Sequence, residues 1–291
     1  MELRRSMLFI PGNSPAMLQN GDVFGADSVI LDLEDAVAPQ EKDAARLLVA
    51  QALTYVDYGA AETVVRMNPL DTFGGEDIKV IVPRRPDALM APKVETAQDI
   101  QKIAAMVAAA EQPGQKPVRI IALLETPQGI YEAYAIAKAH PRVAALALGA
   151  EDYSAALGVQ RTKEGSEIFT ARSLLVNAAA AAGIQAIDTP FTDANDEEGL
   201  RQDTAAAKQF GFKGKLAINP RQVEVIHRVY HPAKADIEWA EQVVAALAKA
   251  EAEGSGVASL NGKMVDAPIV SRARQILFLA RLLKVRKELA E

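Results

Sequence analysis

The chain has 291 residues, 49% hydrophobic and 24% charged, with a formal net charge of −6. That length supports a large buried core, and the acidic balance argues against nucleic acid as the main partner. The absence of cysteine excludes disulfides, thiolate metal sites and cysteine nucleophiles, and only three histidines are present.

No run approaches the ~18 apolar residues that span a bilayer. The stretch Met1 to Arg5 lacks the apolar core of a secretory leader. The expectation is a cytoplasmic chain with no membrane partner.

In chain order, Ser6-Met7-Leu8-Phe9-Ile10 predicts a first buried strand, closed by Pro11-Gly12-Asn13. Ser14-Pro15 fits an N-cap followed by proline at the first helical position. A second strand over residues 28–35 ends in Asp32, Glu34 and Asp35. Pro39 and Glu41 open a helix whose apolar positions, Ala44, Leu47, Leu48 and Ala52, recur at helical spacing. A third strand, 62–68, carries Arg66 near its end, and a fourth, 87–93, ends on Lys93. The fifth, 119–125, runs into Glu125. The sixth passes through Leu146-Ala147-Leu148-Gly149-Ala150 into Glu151 and Asp152. One helix joins them, from Thr126-Pro127 to near His140-Pro141. Helices over 171–182 and 198–210, closed by Gly183 and Gly211, precede a seventh strand, 185–190, and an eighth, 215–220.

Strands alternating with helices imply a parallel sheet. Eight such units predict an α/β fold, a closed (β/α)8 TIM barrel, for which ~250 residues is typical. The rival, an open doubly wound sheet, usually carries a glycine-rich phosphate turn after its first strand. Pro11-Gly12-Asn13-Ser14 is not such a turn. Residues 1–230 are assigned to the barrel and 231–291 to a C-terminal helical extension. The extension holds a helix over 237–252, a glycine hinge at Glu253-Gly254-Ser255-Gly256 and a final helix over 268–288. Such an appendage suits a lid or an oligomer arm. Gly254-Ser255-Gly256 follows a helix, so it is not a dinucleotide loop.

Charged residues at the C-terminal ends of barrel strands lie on the catalytic face. The candidates are Asp32, Glu34, Asp35, Arg66, Lys93, Glu125, Asp152, Asp188 and Asn219. For any one acid, helix capping or a structural ion pair is a sufficient account. Glu125, Asp152 and Arg66 together are harder to explain so, because all three would point at one mouth. Glu125 and Asp152 suit one Mg²⁺, commonly held by one or two carboxylates with water and substrate oxygens. Glu151 is expected to point elsewhere by strand alternation.

Arg66 offers a planar fork for a substrate carboxylate, and the ion would polarise the oxygens of an α-hydroxy or α-keto acid. Asp32, Glu34 and Asp35 cannot all face inward and are expected to position Arg66, Lys93 or metal-bound water. Asp266 reads as an N-cap before Pro268, or as a general acid or base if the extension is a lid. His140, His227 and His231 are expected on the surface near helix C-termini.

Six ordered motifs give the chain a family resemblance over nearly its whole length. They are Ser6-Met7-Leu8-Phe9-Ile10-Pro11-Gly12-Asn13, Leu31-Asp32-Leu33-Glu34-Asp35-Ala36-Val37, Val65-Arg66-Met67-Asn68, Leu124-Glu125-Thr126-Pro127, Leu148-Gly149-Ala150-Glu151-Asp152-Tyr153 and Asn261-Gly262-Lys263-Met264-Val265-Asp266. With them the chain resembles the citrate lyase beta subunit (citryl thioester lyase) family and its malyl-CoA and citramalyl-CoA lyase relatives.

The resemblance implies a TIM barrel with Mg²⁺ on Glu125 and Asp152, and with Arg66 and Glu125 as substrate contacts. It implies a homotrimer in which Asp266 reaches a neighbour's site, and, for citrate lyase proper, acyl-carrier and transferase subunits. The implied reaction is retro-Claisen cleavage of a citryl thioester, on CoA or an acyl carrier, to acetyl thioester and oxaloacetate. Glu34 and Asp35 join Arg66 and Asp266 as catalytic candidates, without a base for the hydroxyl proton being singled out. Three rivals stay open: a stand-alone citramalyl-CoA or malyl-CoA lyase, a metal-dependent aldolase on free keto acids, and an assembly subunit that kept the fold. Basic residues for CoA phosphates would favour the thioester, and Arg4, Arg5, Arg84 and Arg85 are the possible ones.

Overall fold

The structure is a computed structural model that describes residues 2–252, 258–260 and 263–290. The chain divides into two compact units, Met1–Tyr230 and His231–Glu291.

The first unit is a closed barrel of eight parallel strands paired in sequence order. It runs β1 (Ser6–Pro11), α1 (Pro15–Gln19), β2 (Ser28–Asp32), α2 (Lys42–Tyr55), β3 (Glu62–Arg66), α3 (Gly74–Ile81), β4 (Ala88–Ala91) and α4 (Ala97–Ala110). It continues β5 (Arg119–Leu124), α5 (Pro127–Tyr131), α6 (Ala133–Lys138), β6 (Val143–Leu148), α7 (Ala150–Leu157), α8 (Phe169–Ala182), β7 (Gln185–Asp188), α9 (Glu197–Phe210), β8 (Gly214–Ala217) and α10 (Arg221–Tyr230). Strand β8 returns to pair with β1.

Side-chain alternation sorts each strand into two layers. One parity fills the barrel interior with Met7, Ile30, Val64, Ile121, Ala147 and Ile187. The other packs Leu31, Val65, Leu89 and Leu146 against the helices. Each of the Val, Leu, Ile and Met side chains among them contributes about 1.5–3 kcal/mol by leaving water.

The N-terminal end of the barrel is closed by buried polar groups. Arg4 donates to both Glu62 oxygens, at 2.7 and 2.6 Å, and Arg5 pairs with Asp27 at 2.8 Å. Gly214 permits this closure, since a Cβ there would overlap the Arg4 carbonyl oxygen. Ser6 Oγ lies 2.7 Å from His227 Nε2, so His227 belongs to this closure rather than to the open surface.

Several elements differ from the sequence reading. Strand β2 stops at Asp32, β3 at Arg66, β5 at Leu124 and β6 at Leu148, so most rim residues sit just past their strands. The helix after β5 is interrupted at Glu132 and forms α5 and α6. On α2 the buried positions are Lys42, Ala45, Arg46, Val49, Ala50 and Ala52, while Leu47 is exposed. The stripe is rotated because Arg46 turns inward to Asp77, at 2.7 Å. Asp77 also accepts from the main-chain and side-chain nitrogens of Asn68.

In the second unit α11 (Lys234–Ala252) and α12 (Ala267–Ala290) accompany an antiparallel hairpin of β9 (Ala258–Leu260) and β10 (Lys263–Val265). Its core includes Ala240, Val243, Val265 and Ala273, and Arg272 stacks 4.4 Å from the Trp239 ring centre. The expected hinge at 253–256 and the Asn261-Gly262 pair lie outside the described residues. Among the described residues no helix is long and apolar enough to cross a membrane.

Candidate active site

Asp32 and Arg66 are register partners at the ends of β2 and β3. Both share the inward parity of Ile30 and Val64, so both point into the C-terminal mouth. Arg66 donates to Asp32 through Nε at 2.7 Å and Nη2 at 2.6 Å. Asp32 also accepts from the main-chain N–H groups of Glu34 at 2.9 Å and Ala36 at 3.2 Å. Four bonds occupy its two oxygens, which makes it an orienting group. The Phe9 ring lies 4.7 Å from the guanidinium carbon. One edge of the Arg66 fork is therefore taken by protein, contrary to a fully free fork, and Nη1, at the other end, faces the rim acids Glu34 and Asp35.

Nη1 stands 2.8 Å from Glu34 Oε2 and donates to Asp35 Oδ2 at 3.3 Å. Burial works against the Arg66 charge, but the hydrogen bonds and charge of Asp32, helped by Glu34 and Asp35, hold its pKa above the ordinary value. Glu34 is 5% exposed. Burial pushes its carboxyl up to about 7, with Arg66 pulling down and Asp35 pushing up. Its Oε2 has charge contact with Arg66 but no aligned hydrogen bond. The Asp35 side chain is largely exposed at the rim.

Lys93 follows β4 and has φ 53°, a left-handed backbone uncommon outside glycine. Its N–H donates to Glu125 Oε1 at 2.8 Å. Its Nζ lies 3.6 Å from Glu34 Oε1 and 3.8 Å from Asp152 Oδ2. Glu125 is 4% exposed, and burial, then the charges of Glu34 and Asp152, push its carboxyl up to about 8. Gly149 makes room for it: a Cβ there would stand 2.7 Å from both Cβ and Oε2 of Glu125.

Asp152 lies not in a strand but in the first turn of α7. The helical step of about 100° per residue, not strand alternation, separates it from Glu151, which turns to Arg161 at 3.3 Å. Strands β5 and β6 are parallel neighbours, so Glu125 and Asp152 leave the same end of the sheet. Glu125 and Asp152 are oxygen donors, and Glu125 carries a carboxyl whose charge burial and neighbouring acids oppose. That donor set fits one hard divalent ion. No group of three or more His, Cys, Asp or Glu is arranged to hold a metal among the described residues, so substrate and water would complete the shell.

Other candidates are placed elsewhere. Asp188 has the outward parity on β7 and joins Arg172 at 2.8 Å and Lys215 at 2.6 Å, with Asp203 beside both. That buried cluster ties β7 and β8 to α8 and α9. Asn219 lies in the loop after β8, where its Oδ1 accepts from Arg221 N. Asp266 is exposed in the second unit, and its Oδ1 accepts from Ile269 N at 3.1 Å, capping α12. Arg4 and Arg5 are consumed at the N-terminal closure, and Arg84 and Arg85 precede β4 at that same end. None of these four is available to a ligand at the mouth. Sequence reasoning missed Phe9 and Lys42. Phe9 was legible in parity with Met7, and Lys42 as a cation in a first helical turn, where cations are disfavoured.

A (β/α)8 barrel whose mouth combines a buried arginine, a lysine and paired carboxylates is built for metal-assisted chemistry on oxyanionic substrates. The chain belongs to the HpcH/HpaI aldolase/citrate lyase family, whose model matches residues 5–220. It is 47% identical over 285 residues to the citrate lyase subunit beta of Haemophilus influenzae, covering 97% of this chain and 98% of that one. It is 37% identical over 274 residues to a (3S)-malyl-CoA thioesterase of Cereibacter sphaeroides, covering 94% and 93%. Among solved structures, CitE from Mycobacterium tuberculosis in complex with magnesium, acetoacetate and coenzyme A is similar, with a TM-score of 0.77 and 32% identity. That match covers 95% of this chain and 97% of that one.

Proposed function

We propose that the protein is a Mg²⁺-dependent carbon–carbon lyase that cleaves a citryl thioester, on CoA or an acyl carrier, to an acetyl thioester and oxaloacetate. The reading rests on Arg66, Glu125 and Asp152 occupying one barrel mouth in a chain so similar to citrate lyase subunit beta. Glu125 and Asp152 would hold the ion, which supplies Lewis-acid stabilisation of charge on the substrate oxygens.

The remaining steps belong to the side chains. Arg66 binds a substrate carboxylate through Nη1, and Asp35 steadies that nitrogen. Glu34, buried with a pKa near neutrality, takes the hydroxyl proton. The carbon–carbon bond then breaks, and its electron pair moves into the enolate of the departing acetyl thioester. Asp266, donated by a neighbouring subunit of a homotrimer, returns a proton to that carbon. In this reading the enzyme is cytoplasmic and works beside acyl-carrier and transferase subunits.

Similarity to (3S)-malyl-CoA thioesterase favours a second reading, a stand-alone malyl-CoA or citramalyl-CoA lyase with the same machinery. Calorimetric titration with Mg²⁺ tests the ligand pair. Glu125→Gln and Asp152→Asn should each weaken binding, and wild-type affinity in both would remove them as ligands.

A further inference from the structure

Lys42 is the first residue of α2, yet it is only 8% exposed. Its Nζ donates to two successive carbonyls, Leu33 O at 2.7 Å and Glu34 O at 2.6 Å. The acids nearest to it, Asp32, Glu34, Asp77 and Asp35, act on it through charge alone.

This placement runs against general preference in more than one way. Lysine is rarely buried without a paired charge. A cation in the first turn of a helix faces the positive end of the helix dipole. Burial also opposes its charge and lowers its pKa. Departures of this kind collect at functional sites.

The segment that Lys42 holds carries Glu34 and Asp35. Leu33 N donates to Arg66 O at 2.9 Å, and Val37 N to Glu34 O at 3.0 Å. Asp32 takes the Glu34 and Ala36 N–H groups. These bonds tie the segment to β3 and to its own turn. Lys42 adds hydrogen bonds to it from a helix.

We propose that Lys42 is a positioning residue for Glu34: its amine clamps the Leu33 and Glu34 carbonyls and so fixes the Glu34 carboxyl between Arg66 and Lys93. The inference rests on Glu34 as the base of the proposed lyase reaction. Lys42 touches no substrate; it acts through the turn.

Lys42→Met keeps the length and apolar stem and removes the donors. Its kcat should fall about 10-fold or more, a share of the roughly 10²–10⁴-fold that a positioned base supplies. KM and Mg²⁺ affinity should stay at wild-type values. In the double variant with Glu34→Gln the losses should not add, since both act on one group. A crystal structure of Lys42→Met should show the turn at 33–36 shifted and the Arg66 Nη1 to Glu34 Oε2 contact opened.

Wild-type kcat, additive losses or an unmoved turn would each overturn the proposal. If Lys42→Met does not fold, Lys42→Leu, which also lacks the donors, carries the same comparison. If the wild type cleaves no thioester, the lyase reading fails, while the crystal structure still decides whether Lys42 holds the turn.

Discussion

The main-chain N–H of Lys93 donates to Glu125 Oε1 at 2.8 Å, from a left-handed backbone with φ 53°. A side chain in that conformation costs roughly 1–2 kcal/mol relative to glycine. Lys93→Gly and Lys93→Ala both remove the ammonium and both keep the N–H. Lys93→Gly should therefore be the more stable of the two by about 1 kcal/mol in urea unfolding. Equal stability would mean that the strain is absent.

Gly149 and Glu125 are related by space rather than by bonding. Gly149 has φ −99°, so alanine is not strained there by the backbone. Its Cβ would nevertheless stand 2.7 Å from Glu125 Cβ and Oε2. Gly149→Ala should displace the Glu125 carboxyl and weaken Mg²⁺ binding by about 10-fold, roughly 1.4 kcal/mol. Calorimetry on folded Gly149→Ala with wild-type affinity would refute this.

Glu34 and Glu125 are pushed up to about 7 and about 8, from an ordinary 4.5. Between pH 4.5 and these values the folded protein binds more protons than the unfolded chain, so their contribution to stability falls as pH rises. In EDTA, Glu125→Gln should gain stability relative to wild type between pH 5 and pH 8. Thermal melts across that range read the difference. A gap that narrows with rising pH would contradict the assignment. With Mg²⁺ present the carboxylate is favoured, so the ion should stabilise the wild type more at pH 8 than at pH 6.

Asp188 separates structural acids from site acids. It is buried between Arg172 and Lys215. Removing one partner from a buried ionic cluster costs about 3–5 kcal/mol. Asp188→Ala should lose about that much in urea unfolding and, where folded, keep wild-type Mg²⁺ affinity. A loss of metal binding without a loss of stability would return Asp188 to the site.

The barrel was legible because each strand is a short apolar run that breaks on a charged or small residue, with helix signals after it. Arg66 and Glu125 were legible because their charges stand at those breaks. Asp188 stands at a similar break, yet its parity, opposite to Ile187, turns it outward. The place of Asp152 past the sixth strand was legible, but its helical setting was hidden by the apolar run before it. The Asp32 grip on Arg66 depends on the β2–β3 register, and Lys42 on the tertiary fold of the turn it clamps. Neither is written in local spacing. Arg4 and Arg5 look like free cations until the closing of β8 onto β1 buries them.

The proposed reaction is thioester cleavage at a Mg²⁺ site. The most direct measurement is a coupled lyase assay with Mg²⁺, comparing citryl-CoA, citramalyl-CoA and malyl-CoA, with EDTA as control. Citryl-CoA should be cleaved to acetyl-CoA and oxaloacetate, with activity abolished by chelation and restored by Mg²⁺. Cleavage that survives chelation, or no cleavage of any thioester by protein shown to bind Mg²⁺ and supplied with its acyl-carrier partner, would contradict it.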